Sequence, residues 1–236
     1  MTMTRLALAG AAAAALLAAC ATPPDHFHTL RPPAASPPSQ ARTATNLLAI
    51  GPVTVPDALA RDEWVIREGA TGAMVYDHQL WTQGLGADIA QSLADYVNLS
   101  LPPDELWADA GPTGSGSGAD LERPAPLRVR VQVLRFDSVL LPNPAVEDQV
   151  RWTLECLPSD ATLGPVEGGR YRVLRTAVTA VGSAAPSADP QVEASQQRFD
   201  RLARAHSRAV RQVAVDVTTA LRATEAERAK TCRTGP

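Results

Sequence analysis

Cysteine and histidine are scarce in this sequence of 236 residues, which contains three of the first and four of the second. His26 and His28 have a spacing seen in metal sites, but they lie in a short polar tether near the N-terminus, where metal binding is the weaker interpretation. His206 falls on the apolar stripe of a predicted helix, which favours a packed, hydrogen-bonded core residue. The sequence has no nucleophile elbow, phosphate-binding loop, HExxH pair or calcium loop. We therefore expect no catalytic residues, no metal and no cofactor, and a protein that is not an enzyme.

Cys20 is the cysteine with the clearest chemistry. It follows a leader in which Arg5 is the only charge and an unbroken run of Leu, Ala and Gly spans residues 6–17. Such a leader is typical of a secretory signal peptide, predicted over residues 1–19, and its apolar run is too short to span a bilayer. The sequence Leu-Ala-Ala-Cys ending at Cys20 resembles a bacterial lipobox, which implies that Cys20 is acylated and begins the mature chain. The alternative is an ordinary signal peptide cut near Ala19.

The predicted anchor places the rest of the chain outside the cytoplasm. Ala21 follows the cysteine, where an Asp would resemble an inner-membrane retention signal. We therefore expect a lipid-anchored protein on the periplasmic face of the outer membrane. A formal net charge of −3 gives no reason to expect a nucleic-acid partner.

Cys156 and Cys232 are the two remaining cysteines, and in an oxidising compartment they are candidates for a disulfide. Cys156 ends a predicted strand, and Cys232 lies in a charged tail beyond the last predicted helix. If that helix packs across the sheet, its end can reach the end of the strand, provided that the two Cα atoms come within about 7 Å. The alternative is two separate thiols.

Beyond the predicted signal peptide, the chain divides into three parts. Residues 20–46 form a tether with a short edge strand and a Pro-rich linker, residues 47–224 a single α+β domain, and residues 225–236 a C-terminal tail. A flexible Gly/Ser loop at residues 111–119 interrupts the domain.

Hydrophobic periodicity defines the elements of the domain. Strands are predicted over 47–56, 64–67 and 73–76, and three alternating segments, 127–136, 149–156 and 170–179, predict an antiparallel meander. Two amphipathic helices carry their apolar residues at three- and four-residue spacing, Leu85 to Val97 in the first and Phe199 to Leu221 in the second. With the N-terminal strand, the order is β-β-β-β-α-β-β-β-α. It predicts an α+β fold: a mainly antiparallel sheet with both helices on one face.

Trp81 stands just before the first helix, close to Tyr76 and His78. Because Trp and Tyr are common anchors of protein interfaces, these three residues are candidates for binding a partner. The competing interpretation is that Trp81 packs the helix onto the sheet.

Several short motifs occur together in this order. Phe27-His28-Thr29-Leu30 is similar to an aromatic-aromatic-x-Leu element, residues 53–59 to a V-x-V-P-x-x-L signature, and residues 79–85 to a Trp-containing helix start that usually has Pro where Gly84 stands here. Together with the lipobox, this set resembles the ABC-type transport auxiliary lipoproteins, the paraquat-inducible protein C group.

The resemblance implies a docking or auxiliary subunit of a lipid transport system that serves membrane integrity. Its partners would be an MCE-domain protein and, indirectly, an inner-membrane ABC transporter, and a homo-oligomeric ring is expected by analogy. The alternatives are a stand-alone periplasmic ligand-binding lipoprotein and an outer-membrane assembly chaperone.

Overall fold

A computed structural model describes residues 23–33, 46–102, 106–110, 127–140, 143–158, 171–184 and 195–232. The lipobox cysteine Cys20 and the Gly/Ser segment 111–119 lie outside these residues. The strands are β1 (His26–His28), β2 (Asn46–Thr54), β3 (Glu63–Glu68), β4 (Gly72–Trp81), β5 (Leu106–Asp109), β6 (Leu127–Val139), β7 (Ala145–Cys156) and β8 (Arg172–Ala184). The helices are α1 (Leu85–Ser100), α2 (Ser195–Ala223) and α3 (Glu225–Thr231), and a short 3-10 helix covers Asp57–Leu59.

The larger sheet has five strands in the order β5-β2-β6-β7-β8. β6, β7 and β8 pair antiparallel, which confirms the meander that the alternating segments predict. Val129, Val131 and Trp152 are buried on the face that carries the helices, while Arg130 and Arg151 are exposed on the other. β2 pairs parallel with both β5 and β6, so the sheet is mixed.

The smaller sheet has three strands in the order β1-β4-β3. β3 and β4, which correspond to the strands predicted over 64–67 and 73–76, pair as an antiparallel hairpin, and β1 pairs parallel with β4 as an edge strand. The α+β class is confirmed, but two mixed sheets replace the single, mainly antiparallel sheet that we expected. Alternation shows which face of a strand is buried and does not show which strands share a sheet.

The folded body begins earlier than residue 47, the predicted boundary. Leu30 has no exposed surface and His28 only 5%, so the segment predicted as a tether contributes to the core. Polar and Pro-rich neighbours made this segment look like a linker, because one or two buried side chains leave no periodic signal.

Both amphipathic helices have the predicted buried stripes. Leu85, Ile89, Leu93 and Val97 of α1 are all buried. The N-cap of α1 is Gly84, with φ of 72°.

In α2 the apolar stripe from Phe199 to Leu221 is buried, and Arg204, Arg208 and Arg211 are exposed. α1 packs on β2 and β5, α2 packs on β7 and β8, and the two helices contact each other, so both lie on one face of the larger sheet. None of the helices among the described residues is both long and apolar enough to cross a membrane.

Two elements were not predicted. β5 is only four residues long and follows a Pro-Pro pair, and α3 lies in the charged segment predicted as a tail. Neither segment has a hydrophobic period long enough to be recognised.

Candidate functional site

A cluster of rings fills the space between the smaller sheet, β6 and α2. Trp64 and Trp81 have ring centroids 4.3 Å apart, and Phe136 stacks on His206 at 3.8 Å. Phe199 meets the edge of Trp64 at 5.3 Å. Trp81 is only 4% exposed, so it packs inside this cluster. Its burial favours the packing interpretation over direct contact with a partner.

A polar network runs through the ring cluster. His206 Nδ1 lies 2.9 Å from Asp148 Oδ1, and His206 Nε2 lies 2.7 Å from Ser138 Oγ. The indole N–H of Trp64 donates to the same Ser138 oxygen at 2.9 Å. Burial raises the pKa of the Asp148 carboxyl, and the neighbouring His206 opposes that rise. The network joins β3, β6, β7 and α2.

This network has the connectivity of a Ser-His-Asp acyl-transfer relay. Ser138 is only 1% exposed and His206 has no exposed surface. Because both side chains are buried, a substrate carbonyl has no approach to the serine oxygen, which also accepts the Trp64 N–H. The arrangement therefore suits a structural role, as expected for His206 from its place on the helix stripe.

A second buried carboxylate, Asp88 at the start of α1, holds the N-terminal segment. Asp88 Oδ2 accepts the backbone N–H of Leu30 at 2.7 Å, and Oδ1 accepts the hydroxyls of Thr29 at 2.9 Å and Thr82 at 3.2 Å. Burial raises the pKa of the Asp88 carboxyl, and these three hydrogen bonds oppose part of that rise. We call residues 28–30 with Asp88 the N-terminal clamp.

His28 completes the clamp from the other side. His28 Nε2 lies 2.7 Å from Gln79 Oε1, and its ring meets the Trp64 ring edge-on at 5.0 Å. Burial lowers the pKa of His28, while the Gln79 contact and the Asp200 carboxylate raise it. Within the described residues there is no group of three or more His, Cys, Asp or Glu side chains that could hold a metal ion. His26 and His28 are alternate residues of β1, where His28 is buried and His26 is partly buried.

The other predicted partner-binding residues do not share one surface with Trp81. Tyr76 is partly buried against the Phe199 ring at 5.0 Å. His78 Nδ1 lies 2.9 Å from Asp25 at the partly exposed start of the N-terminal segment. Tyr76 and His78 therefore remain candidates for a partner contact, and the role of all three residues stays a prediction.

Cys156 and Cys232 are joined in the structure, with Cα atoms 5.6 Å apart, inside the limit stated above. Both side chains are buried, and a backbone bridge between Pro158 and Cys232 lies beside them. The pairing connects the end of β7 to the end of α3. For the protein in solution it remains a prediction, which thiol titration tests.

An open cleft of about 360 Å³ lies between the 3-10 helix, the β3–β4 hairpin and the second half of β6. Its polar side chains centre on Asp137, whose Oδ2 lies 3.5 Å from Arg67 Nε and 3.4 Å from Arg135 Nε. Sequence reasoning missed these residues because Arg67 and Asp137 are 70 positions apart and carry no motif. The apolar walls include Pro56, Leu59, Val65 and Leu134.

Comparison with known families decides the class of the protein. The sequence model of the ABC-type transport auxiliary lipoprotein component family matches residues 28–218. The chain belongs to this family. The match begins at His28, inside the N-terminal clamp, and includes the cleft. The family is one of auxiliary components of ABC-type transport and not an enzyme family.

Solved structures show the same fold in distant sequences. A Xanthomonas campestris protein of the family DUF330 superposes with a TM-score of 0.55 at 14% identity, over 87% of this chain and 99% of that one. A second, uncharacterised protein has a TM-score of 0.53 at 15% identity, over 83% and 99% of the two chains. A comparison with curated proteins finds no significant match.

Proposed function

We propose that this auxiliary lipoprotein is anchored by Cys20 to the periplasmic face of the outer membrane, where it serves an MCE- and ABC-type system that transports phospholipid or another hydrophobic compound. In this role the chain docks the transport conduit at the membrane and does no covalent chemistry. The observation that carries the proposal is the family match to residues 28–218, which follows directly after a lipobox-like sequence.

The N-terminal clamp supports the proposal that the folded body is anchored through Cys20. The exposed Phe27 lies only seven positions beyond Cys20, and an extended chain of that length spans at most about 25 Å. Two hydrogen bonds to Asp88, from the Leu30 N–H and the Thr29 hydroxyl, then fix the chain directly after β1. The folded body is therefore held close to any membrane into which acyl groups on Cys20 insert.

Affinity purification of the full chain from native membranes tests the partner assignment. We expect an MCE-domain protein to copurify, with ABC transporter subunits recovered after cross-linking. An MCE or ABC gene beside this one would support the same conclusion. Recovery of unfolded outer-membrane proteins alone would favour the chaperone alternative, and recovery of a small ligand with no protein partner would favour a stand-alone binding lipoprotein.

Substitutions at the candidate contact residues test where the partner binds. His78→Ala removes a partly exposed ring and should weaken copurification without unfolding the protein. Trp81→Ala should instead lower the free energy of unfolding by about 3–5 kcal/mol, because it empties a buried site in the ring cluster. If His78→Ala and Tyr76→Ala both retain the partner, the contact lies elsewhere on the surface. Sedimentation of the native protein tests the expected homo-oligomeric ring.

A further inference from the structure

We propose that the cleft between the 3-10 helix, the β3–β4 hairpin and β6 binds an amphiphile with an anionic head group and an aliphatic chain. The inference rests on the proposed transport function and assigns it a ligand site. Small-molecule sites in proteins have volumes of roughly 300–1,000 Å³ and mostly apolar walls with a few polar groups. The cleft meets both criteria, with a volume of about 360 Å³.

The apolar walls of the cleft suit the aliphatic part of such a ligand. Leu134 is 37% exposed although it lies in the middle of β6, and Pro56 and Leu59 face it from the turn of the V-x-V-P-x-x-L segment. An aliphatic chain in this cleft would cover apolar surface that water now contacts, which is favourable.

Arg67 supplies the charge that would select an anionic head group. Its Nε has no hydrogen-bond partner among the described residues, although it is shielded from solvent, and its ion pair with Asp137 is long at 3.5 Å. Arg135 also contacts Asp137 but pairs closely with Glu147. Asp137 and Glu147 together balance the charges of the two arginines, so selection of an anionic head group depends on Arg67, whose described ion pair is the long one.

One wall of the cleft belongs to the same face of the smaller sheet as Phe27, which lies near the predicted anchor. Trp64 faces the core, so Val65 points to the opposite face of the smaller sheet. Its register partner Val75 shares this outer face, and so do Leu80 and Phe27, which pair with each other. Phe27 is 62% exposed and lies seven residues beyond Cys20. Apolar side chains on this outer face therefore occur both at the wall of the cleft and near the end of the chain that carries the predicted anchor.

Photo-cross-linking in lipid nanodiscs tests the site with the full-length lipoprotein. One probe is a diazirine-bearing lysophosphatidate, which has a phosphate head and one acyl chain, and the matched probe is a monoacylglycerol with the same chain and no charge. We expect the anionic probe to label peptides containing Leu59 or Leu134 at least several-fold more than the neutral probe. Equal labelling by the two probes would overturn the proposal, as would the absence of label in these peptides.

Variants of cleft residues test whether the preference for the anionic probe arises in the cleft. Arg67→Gln should remove most of the preference for the anionic probe, a loss of roughly tenfold for a charged hydrogen bond. Leu134→Glu, on a partly exposed position, should abolish labelling. Arg204→Gln changes an exposed arginine on α2 and should label like the native protein. Unchanged labelling of the first two variants, with native circular dichroism, would contradict the assignment.

Competition with free phosphate distinguishes a site for an amphiphile from a site for inorganic phosphate. Millimolar inorganic phosphate should leave labelling unchanged, and full competition would show a phosphate site in place of an amphiphile site. The nanodiscs contain no transport partner, so failure of partner binding does not affect the result. If the protein does not associate with nanodiscs, its anchoring is what fails, and the same probes added to the soluble protein still decide the question.

Discussion

Two buried carboxylates hold different parts of this molecule. Asp148 faces the imidazole of His206 in the middle of the larger sheet, and Asp88 faces a backbone N–H and two hydroxyls of neutral residues. Burial raises the pKa of both groups. Asp148 joins strands and a helix that long apolar stripes already hold together. Asp88 fixes Thr29 and Leu30, directly after the three-residue strand β1.

The comparison indicates that the loss of a buried polar group destabilises either the whole domain or one segment, according to which elements that group connects. Loss of the His206 network should destabilise the whole domain, since β6, β7 and α2 form most of the core. Loss of the N-terminal clamp should release residues 26–31 while the remainder stays folded. The two regions are therefore distinguishable by experiment.

His206→Ala should have the largest effect. It leaves the Asp148 carboxyl buried without its imidazole partner, and breaking such a pair typically costs about 3–5 kcal/mol. Ser138→Ala should cost less, about 1–3 kcal/mol, because it orphans the Trp64 N–H without exposing a charge. Urea unfolding followed by tryptophan fluorescence measures both. Similar losses for the two variants would show that the imidazole–carboxylate pair is not the dominant contact.

Removal of the Cys156–Cys232 bond should destabilise the domain by roughly 4 kcal/mol in the chain-entropy model, given a sequence separation of 76 residues. The double variant Cys156→Ser with Cys232→Ser, compared with the oxidised native protein, gives the difference. Thiol titration of the folded, air-oxidised protein is the control. Titration of both Cys156 and Cys232 as free thiols would contradict the disulfide.

Asp88→Ala should have a smaller and more local effect. It removes three hydrogen bonds and leaves the Leu30 N–H buried without an acceptor, which costs about 1–3 kcal/mol. Hydrogen exchange followed by mass spectrometry should show faster exchange in residues 26–31 and unchanged exchange in β6 and β7. Equal acceleration in both regions would mean that the N-terminal clamp and the core unfold together.

Protonation of His28 should have the smallest effect, which is measured as a dependence of the free energy of unfolding on pH. Its pKa is lowered by burial in the folded protein, so the unfolded chain binds the proton more tightly. The free energy of unfolding should therefore fall as the pH drops from the unfolded pKa, about 6.5, toward the lower folded value. Urea midpoints of the native protein should decline more than those of His28→Gln over this window. Parallel curves would show that His28 titrates without a preference for either state.

The stripes of α1 and α2 and the alternation of β6, β7 and β8 were predictable because each repeats over eight or more residues. The partners of His206 were not, since Asp148 lies 58 positions away and Ser138 lies 68 positions away in other elements. The burial of His28 and Leu30 was also missed, because two side chains produce no period. The split into two sheets depends on parallel pairings across long connections, which local patterns do not encode.

The central claim is that acyl chains on Cys20 hold this auxiliary lipoprotein at a membrane. Metabolic labelling with an alkyne fatty acid, combined with membrane fractionation, tests it most directly. We predict that the native protein is labelled and sediments with outer membranes, and that Cys20→Ala is unlabelled and is lost from the outer-membrane fraction. Label on the Cys20→Ala protein, or its undiminished presence in outer membranes, would contradict the claim.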